Sequence, residues 1–163
     1  VDLSLQEAAL APLISEVLEG FCPLAEVQDC RVEASLDETL TASVDPGAFR
    51  QILLNLLENA VKYGPPGQII DVRLRKGPAG TAQLLVEDEG EGIPFDERAE
   101  IFSPYSRLER DRDSGVAGSG IGLAVVKELA RRQGASVRVE DSVSGGARFV
   151  VAFPRGAAVS AEA

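Results

Sequence analysis

The sequence predicts an α/β fold of the α+β kind: a two-layer sandwich in which three helices cover one face of a mixed, mostly antiparallel sheet. Three observations point there. Three stretches carry apolar residues at helical spacing, and two pairs of alternating segments are joined by short Gly-containing turns. The order of these elements lacks the regular strand–helix alternation of a doubly wound sheet. The chain has 163 residues, the size of one domain, and 45% of them are hydrophobic. A core burying about 70% of the unfolded surface is within reach of that composition.

Leu10, Leu13, Ile14, Val17, Leu18 and Phe21 recur on one face of a segment from Leu5 to Val27. They predict an amphipathic helix capped by Ser4 and interrupted or ended near Pro23. Arg31–Ala34 and Leu40–Val44 alternate weakly about a polar turn and are expected to be a pair of short strands. Asp45-Pro46 then starts a strong helix, with a capping carboxylate and a proline at the first helical position. Phe49, Ile52, Leu53, Leu56, Leu57, Ala60 and Val61 form its apolar stripe as far as Tyr63, and the Gly-Pro-Pro-Gly at 64–67 stops it. Residues 69–75 and those after the turn at 77–80 alternate as two antiparallel strands, the second ending in Val86-Glu87-Asp88. From Glu89 to Ser119 the chain is rich in glycine and charge, and a connection of that length is expected to be a functional lid or a disordered segment. Ile121–Gln133 reads as the third helix, stopped by Gly134. Ser136–Asp141 and Ala147–Phe153 read as a hairpin around Ser-Val-Ser-Gly-Gly. Residues 155–163 are expected to fray, leaving 1–154 as the folded domain.

Sixteen Lys and Arg against 26 Asp and Glu give a net charge of −10, which repels a nucleic-acid backbone and an anionic membrane alike. Neither is expected as a partner. No run approaches the ~18 apolar residues of a membrane span and the first twenty residues lack the basic start of a signal peptide, so a cytoplasmic location is expected. Cys22 and Cys30 have no partners at metal-ligand spacing and read as packing thiols. The chain contains no His, which removes the commonest general base, the commonest metal ligand and any phosphohistidine acceptor.

Asn55, Asn59 and Lys62 are four and three residues apart and share a narrow helix face opposite the apolar stripe. Asn is a poor interior helix former, so two on one face point beyond a plain solvated side. Carboxamide oxygens suit magnesium, and the neighbouring ammonium suits a phosphate. Asp88 falls on the core side of its strand, where a carboxylate needs a donor: a backbone N–H or a ligand amine such as that of adenine. Gly90 and Gly92 follow, where backbone turns or is closely approached. Gly118, Gly120 and Gly122 open the third helix, and crowded N–H groups at a helix start favour an anion. Between the two glycine segments Phe102, Tyr105, Arg107, Arg110 and Arg112 bring three arginines into an acidic chain, a place to meet phosphate.

The segments "NLLENAVKYGPPG", "VEDEGEGIP", "IFSPYSR" and "GSGIGLAVVKELARRQGA" resemble, in order, the N box, first glycine box, F box and second glycine box of sensor histidine kinases. The likeness is strong from Asp45 to Pro154 and only general before it. It implies the catalytic ATP-binding domain of such a kinase, with the Bergerat-type fold shared by gyrase, Hsp90 and MutL. By position, the resemblance implies that Asn59 ligates Mg2+ with Asn55 in support, while Lys62 and Tyr63 line the phosphate side of ATP. Asp88 would hold the adenine amine in a pocket shaped by Gly90, Gly92 and Ile93. Phe102 and Arg107 fall in the F box, where the arginine reaches toward the γ-phosphate. Gly118, Ser119, Gly120, Ile121, Gly122 and Leu123 would frame the triphosphate, with 94–118 as a mobile ATP lid.

Related ATPases carry a water-activating glutamate at the position of Asn55, so ATP is expected to be held rather than quickly hydrolysed. The catalytic roles would fall to Asn55, Lys62 and Arg107. With no His, the phosphate acceptor would lie in a separate dimerisation domain of a parent protein, itself either soluble or membrane-anchored, with a response regulator downstream. A nucleotide-sensing scaffold and an anti-sigma-type serine kinase remain alternatives on the same residues.

Overall fold

Ten main elements follow one another in the computed structural model, which describes residues 2–103 and 122–154. They are Gln6–Ala9 (β1), Leu10–Val27 (α1), Arg31–Leu36 (β2), Thr41–Val44 (β3), Pro46–Tyr63 (α2), Ile69–Lys76 (β4), Ala82–Glu87 (β5), Gly122–Arg132 (α3), Ser136–Asp141 (β6) and Ala147–Phe153 (β7). Five strands make one sheet in the order β2-β4-β5-β7-β6, parallel between β2 and β4 and antiparallel elsewhere. Ile70, Val72 and Leu74, Leu84 and Val86, and Phe149, Val151 and Phe153 alternate onto one face. Against it pack Leu10, Ile14, Leu18 and Phe21 of α1, Phe49, Ile52, Leu53, Leu56 and Leu57 of α2, and Val126 and Ala130 of α3. The rings of Phe49 and Phe153 meet at 5.3 Å. This is the two-layer arrangement expected from the sequence.

The N-terminal part departs from expectation. Gln6–Ala9 is a strand, paired antiparallel with β3, and the helix begins only at Leu10. Ser4 caps nothing in α1: its backbone N–H donates to Asp45 Oδ2 at 2.8 Å. Helical spacing in the sequence starts at Leu10, and backbone pairing with Thr41–Val44 takes the polar residues before it. Pro23 neither ends nor interrupts the assignment; α1 runs on to Val27. Both Pro23 and Glu19, whose carbonyl loses its partner to the proline, are on the exposed side, where water replaces the missing bond. The expected strand pair near residues 31–44 is two strands in two different sheets: β2 adds to β4, and β3 to β1. Cys22 is half-buried and Cys30 buried, both free, as packing thiols should be.

Strand β5 is buried at every position rather than at alternate ones. It is the middle strand, and on the open face Leu85 and Val150 are register partners. Long charged side chains cover that face: Arg148 bonds Glu87 and Glu140, while Arg73 reaches Asp71 and Glu87. Their aliphatic stems exclude water where no helix does.

Helix α2 begins as the sequence predicts, with Asp45 Oδ1 accepting from Ala48 N at 3.0 Å and proline in the first turn. Gly64 leaves the helical conformation and ends it. Helix α3 lies antiparallel to α2 and is bonded to it near both ends. Gln133 Oε1 accepts from Asp45 N at 2.9 Å, and Asn55 Nδ2 donates to Gly122 O at 3.2 Å. Ten residues on α2 and eleven on the α3 side separate these bonds, about 15 and 16.5 Å at 1.5 Å per residue, so the two helices lie in matched register.

Within the expected lid the first residues are exposed, Phe95 strongly so, and packing begins at Ile101. Phe95–Glu97 and Glu100–Phe102 are single 3-10 turns, and Ile101 and Phe102 are buried, the Phe102 ring standing edge-on to Phe149 at 6.2 Å. The rest of the lid segment lies outside the described residues, as does the expected tail.

Candidate functional site

Asp88 sits one residue beyond the end of β5 and is 5% exposed. Its Oδ1 accepts from the backbone N–H of Gly90 at 2.9 Å and of Ala147 at 3.1 Å. Backbone amides thus supply donors to one oxygen of this buried carboxylate. Its own N–H donates to Ala147 O at 3.0 Å, and its carbonyl accepts from the hydroxyls of Ser142 and Ser144, each at 3.3 Å. The turn between β6 and β7 thus grips Asp88 on both sides. Gly146 makes this possible, because a Cβ there would stand 2.2 Å from Asp88 O. Sequence reasoning missed Ser142, Ser144 and Gly146. Their only signal is a Ser-x-Ser-Gly-Gly turn, which reads locally as a hairpin connection and says nothing of a partner 54 residues away.

The first glycine segment is fastened to the end of α2. A Cβ on Gly90 would come within 2.6 Å of the Tyr63 carbonyl, so only glycine lets the two backbones approach. Gln68, 2% exposed, completes the joint by donating to Ala60 O at 2.8 Å and accepting from Glu89 N at 3.1 Å. Gly92 is buried, and Ile93 is half-buried against the core, its carbonyl held by Arg98 Nε at 3.0 Å. Asp88, Gly90 and Tyr63 are in this way brought together around one end of α2.

On α2 itself, Asn55 and Asn59 are half-buried and Lys62 is exposed in the last turn. The face is partly covered: Asn55 meets the start of α3, while Gln51 and Lys62 are exposed. Asn55 is engaged: Gln51 Nε2 donates to its Oδ1 at 2.7 Å while its Nδ2 holds Gly122 O. Asn59 makes no side-chain hydrogen bond among the described residues. Leu123, half-buried, packs against the core beside Gly122. Phe102 anchors its segment in the core. Tyr105, Arg107, Arg110, Arg112, Gly118, Ser119, Gly120 and Ile121 lie outside the described residues.

No cluster of three His, Cys, Asp or Glu able to hold a metal occurs among the described residues. Mg2+ bound with phosphates commonly takes only one or two protein oxygens and fills its other positions with phosphate oxygens and water, so it needs no such cluster. Asn59 fits that donor set. On the open side of the sheet, a cavity of about 310 Å³ borders Asp88 but is lined by Glu33, Asp71, Glu87 and Glu89 against the single cation Arg73. Its net negative charge disfavours a polyphosphate there.

Residues 44–157 match the family described as Histidine kinase-, DNA gyrase B-, and HSP90-like ATPase. The sensor histidine kinase TmoS of Ectopseudomonas mendocina is 34% identical over 152 residues, 93% of this chain and 16% of that protein. The chain spans less than half the length of the curated relatives it matches most strongly, 39% in the adaptive-response sensory kinase SasA of a Synechococcus strain. Among solved structures, the mycobacterial sensor histidine kinase MprB aligns with a TM-score of 0.80 at 28% identity, covering 93% of this chain and 97% of that one. Full-length ShkA in complex with AMPPNP aligns with a TM-score of 0.79 at 30% identity, covering 94% of this chain and 32% of that one.

Proposed function

The chain belongs to the histidine kinase-, DNA gyrase B- and HSP90-like ATPases, as a catalytic ATP-binding domain of the sensor histidine kinase type, and from that premise we propose that it binds Mg-ATP and passes the γ-phosphate to a histidine on a separate dimerisation domain, upstream of a response regulator. The observation that carries this reading is the junction at the end of α2. There Asp88 is buried and held by two backbone amides, Gly90 beside it packs on the Tyr63 carbonyl, and the last two turns of the same helix carry Asn59 and Lys62. ShkA, similar over 94% of this chain, binds AMPPNP, which supports an adenine nucleotide as the ligand.

In this reading Asp88 accepts from the adenine amine, and guanine, with a carbonyl oxygen at that place, is repelled. Gly90, Gly92 and Ile93 shape the base pocket, and Tyr63 and Lys62 line the way from base to phosphates. Asn59 supplies an oxygen to Mg2+ with Asn55 beside it, and Arg107 meets the γ-phosphate. The segment 118–123 frames the triphosphate with backbone N–H groups. Bound Mg2+ supplies charge neutralisation on the phosphates. No histidine in this chain receives the phosphate, and Asn55 stands where an ATPase needs a carboxylate, so the residues position ATP without activating water.

Calorimetric titration tests the binding half. Mg-ATP should bind at least tenfold more tightly than Mg-GTP, a difference of about 1.4 kcal/mol. Asn59→Ala should weaken ATP strongly with Mg2+ and little in EDTA. Equal affinity for the two nucleotides would remove Asp88 from its role, and an Asn59 variant indifferent to Mg2+ would remove the metal from α2.

A further inference from the structure

The amide of Asn55 is bonded on both sides, and one of its two partners lies outside the recognised motifs. Gln51, one turn earlier on α2, donates through Nε2 to Asn55 Oδ1 at 2.7 Å, which directs Asn55 Nδ2 to the Gly122 carbonyl at 3.2 Å. Gly122 is the first residue of α3 and the last glycine of the second glycine segment. The far end of α3 is held separately, by Gln133 on the Asp45 backbone. Reversing the Asn55 amide would set its oxygen against the Gly122 oxygen and break the nearer bond. We propose that Gln51 is a positioning residue: by fixing the Asn55 amide it pins the start of α3, and with it the end of the phosphate-framing segment, against the metal-facing side of α2.

This rests on the nucleotide reading above, and it adds to it a specific use for Asn55: a hydrogen-bond donor to the protein rather than only a support for Mg2+. A plain helix-surface pair would also place Gln and Asn four residues apart, and such a pair contributes helix stability alone. The two roles differ in what they move. Positioning changes nucleotide affinity through Asn55 and the order of the first turn of α3, whereas surface pairing changes neither.

The test uses the 163-residue chain with Gln51→Met, which keeps length and helix preference but removes the donor, alone and combined with Asn55→Ala. Gln51 is exposed, so the melting temperature should stay close to that of the parent. Without nucleotide, hydrogen exchange at Val126 and Lys127, the first amides that a helix starting at Gly122 bonds internally, should quicken in Gln51→Met. With Mg-ATP, the dissociation constant should rise about fivefold, the scale of one lost hydrogen bond. In the Asn55→Ala background the same substitution should change neither quantity further. Gln51→Glu, which presents an acceptor to Asn55 and so favours the reversed amide, should be the more damaging single change. Its effect too should vanish without Asn55, which separates amide orientation from simple repulsion of the nucleotide by an added carboxylate.

Unchanged exchange and affinity in Gln51→Met, or an equal loss with and without Asn55, would overturn the inference while leaving the nucleotide reading intact. Failure of the unsubstituted chain to bind Mg-ATP would overturn that reading instead, and the exchange rates at Val126 and Lys127 would then decide the role of Gln51 by themselves.

Discussion

Asp88 holds its turn through one carboxylate oxygen, and the nucleotide role proposed for the same group separates from that by substitution. Asparagine retains an oxygen that can accept from Gly90 N and Ala147 N, while turning the other oxygen into a donor. Asp88→Asn should therefore keep a melting temperature within about 2 °C of the parent yet lose more than tenfold in Mg-ATP affinity. Asp88→Ala leaves buried N–H groups unpaired and should cost about 1–3 kcal/mol of stability in urea titration as well as the nucleotide. Equal loss of stability in both variants would mean that the charge itself holds the turn. At this scale the sequence was informative about identity and silent about support. Asp88, Asn55 and Asn59 were legible because a carboxylate on a core face and amides inside a helix are locally costly. Gln68, Ser142, Ser144 and Gly146 were not, because each acts on a partner that only the fold brings near; Gln51 bonds Asn55 one turn away, and it is the Gly122 carbonyl beyond that amide which the sequence does not place.

The element on which the site depends most is α2, and its N-terminus is a junction of three segments. Asp45 Oδ1 caps Ala48 N, its Oδ2 accepts from Ser4 N ahead of β1, and its own N–H is held by Gln133 after α3. The backbone N–H groups of Ser4 and Ala48 hold the Asp45 carboxyl below its ordinary value of 3.8. A carboxylate with a lowered value in the folded chain adds stability that is complete above the unfolded value and is lost as pH falls through the folded one. The parent should therefore lose stability below about pH 4, and Asp45→Asn, a good cap that does not titrate, should flatten that acid limb. Asp45→Ala at neutral pH should cost about 1–2 kcal/mol. Guanidinium titrations at several pH values check both, and an acid limb equally steep in Asp45→Asn would assign it to other carboxylates. The cap was readable because Asp-Pro carries its meaning in two adjacent residues. Strand β1 was not, since Gln6–Ala9 has no alternation of its own and becomes a strand only by pairing with residues 41–44.

At the scale of the molecule, alternation failed where it was expected to be cleanest. Strand β5 reads as one-sided but is covered on both faces, because cross-strand pairs among Arg73, Glu87, Arg148 and Glu140 roof the apolar pair Leu85–Val150. Charged residues in those strands predict an exposed face when each is read alone, and only the register shows them paired. The layer order was legible nonetheless, because three helical stripes and two hairpins leave few ways to share one core. No helix among the described residues is long and apolar enough to cross a membrane. The fold brings Asp88 and Gly90 to the C-terminal end of α2, and the chain contains no histidine to receive a phosphate. The central claim is thus a donor domain that needs its acceptor from elsewhere. It is tested most directly by incubating the chain, at high concentration, with γ-labelled ATP, Mg2+ and the dimerisation domain of its parent kinase. No label should appear on the chain itself, and the added domain should carry acid-labile, base-stable label, the signature of a phosphoramidate. Acid-stable label on serine, or bound ATP with no transfer to that partner, would contradict it.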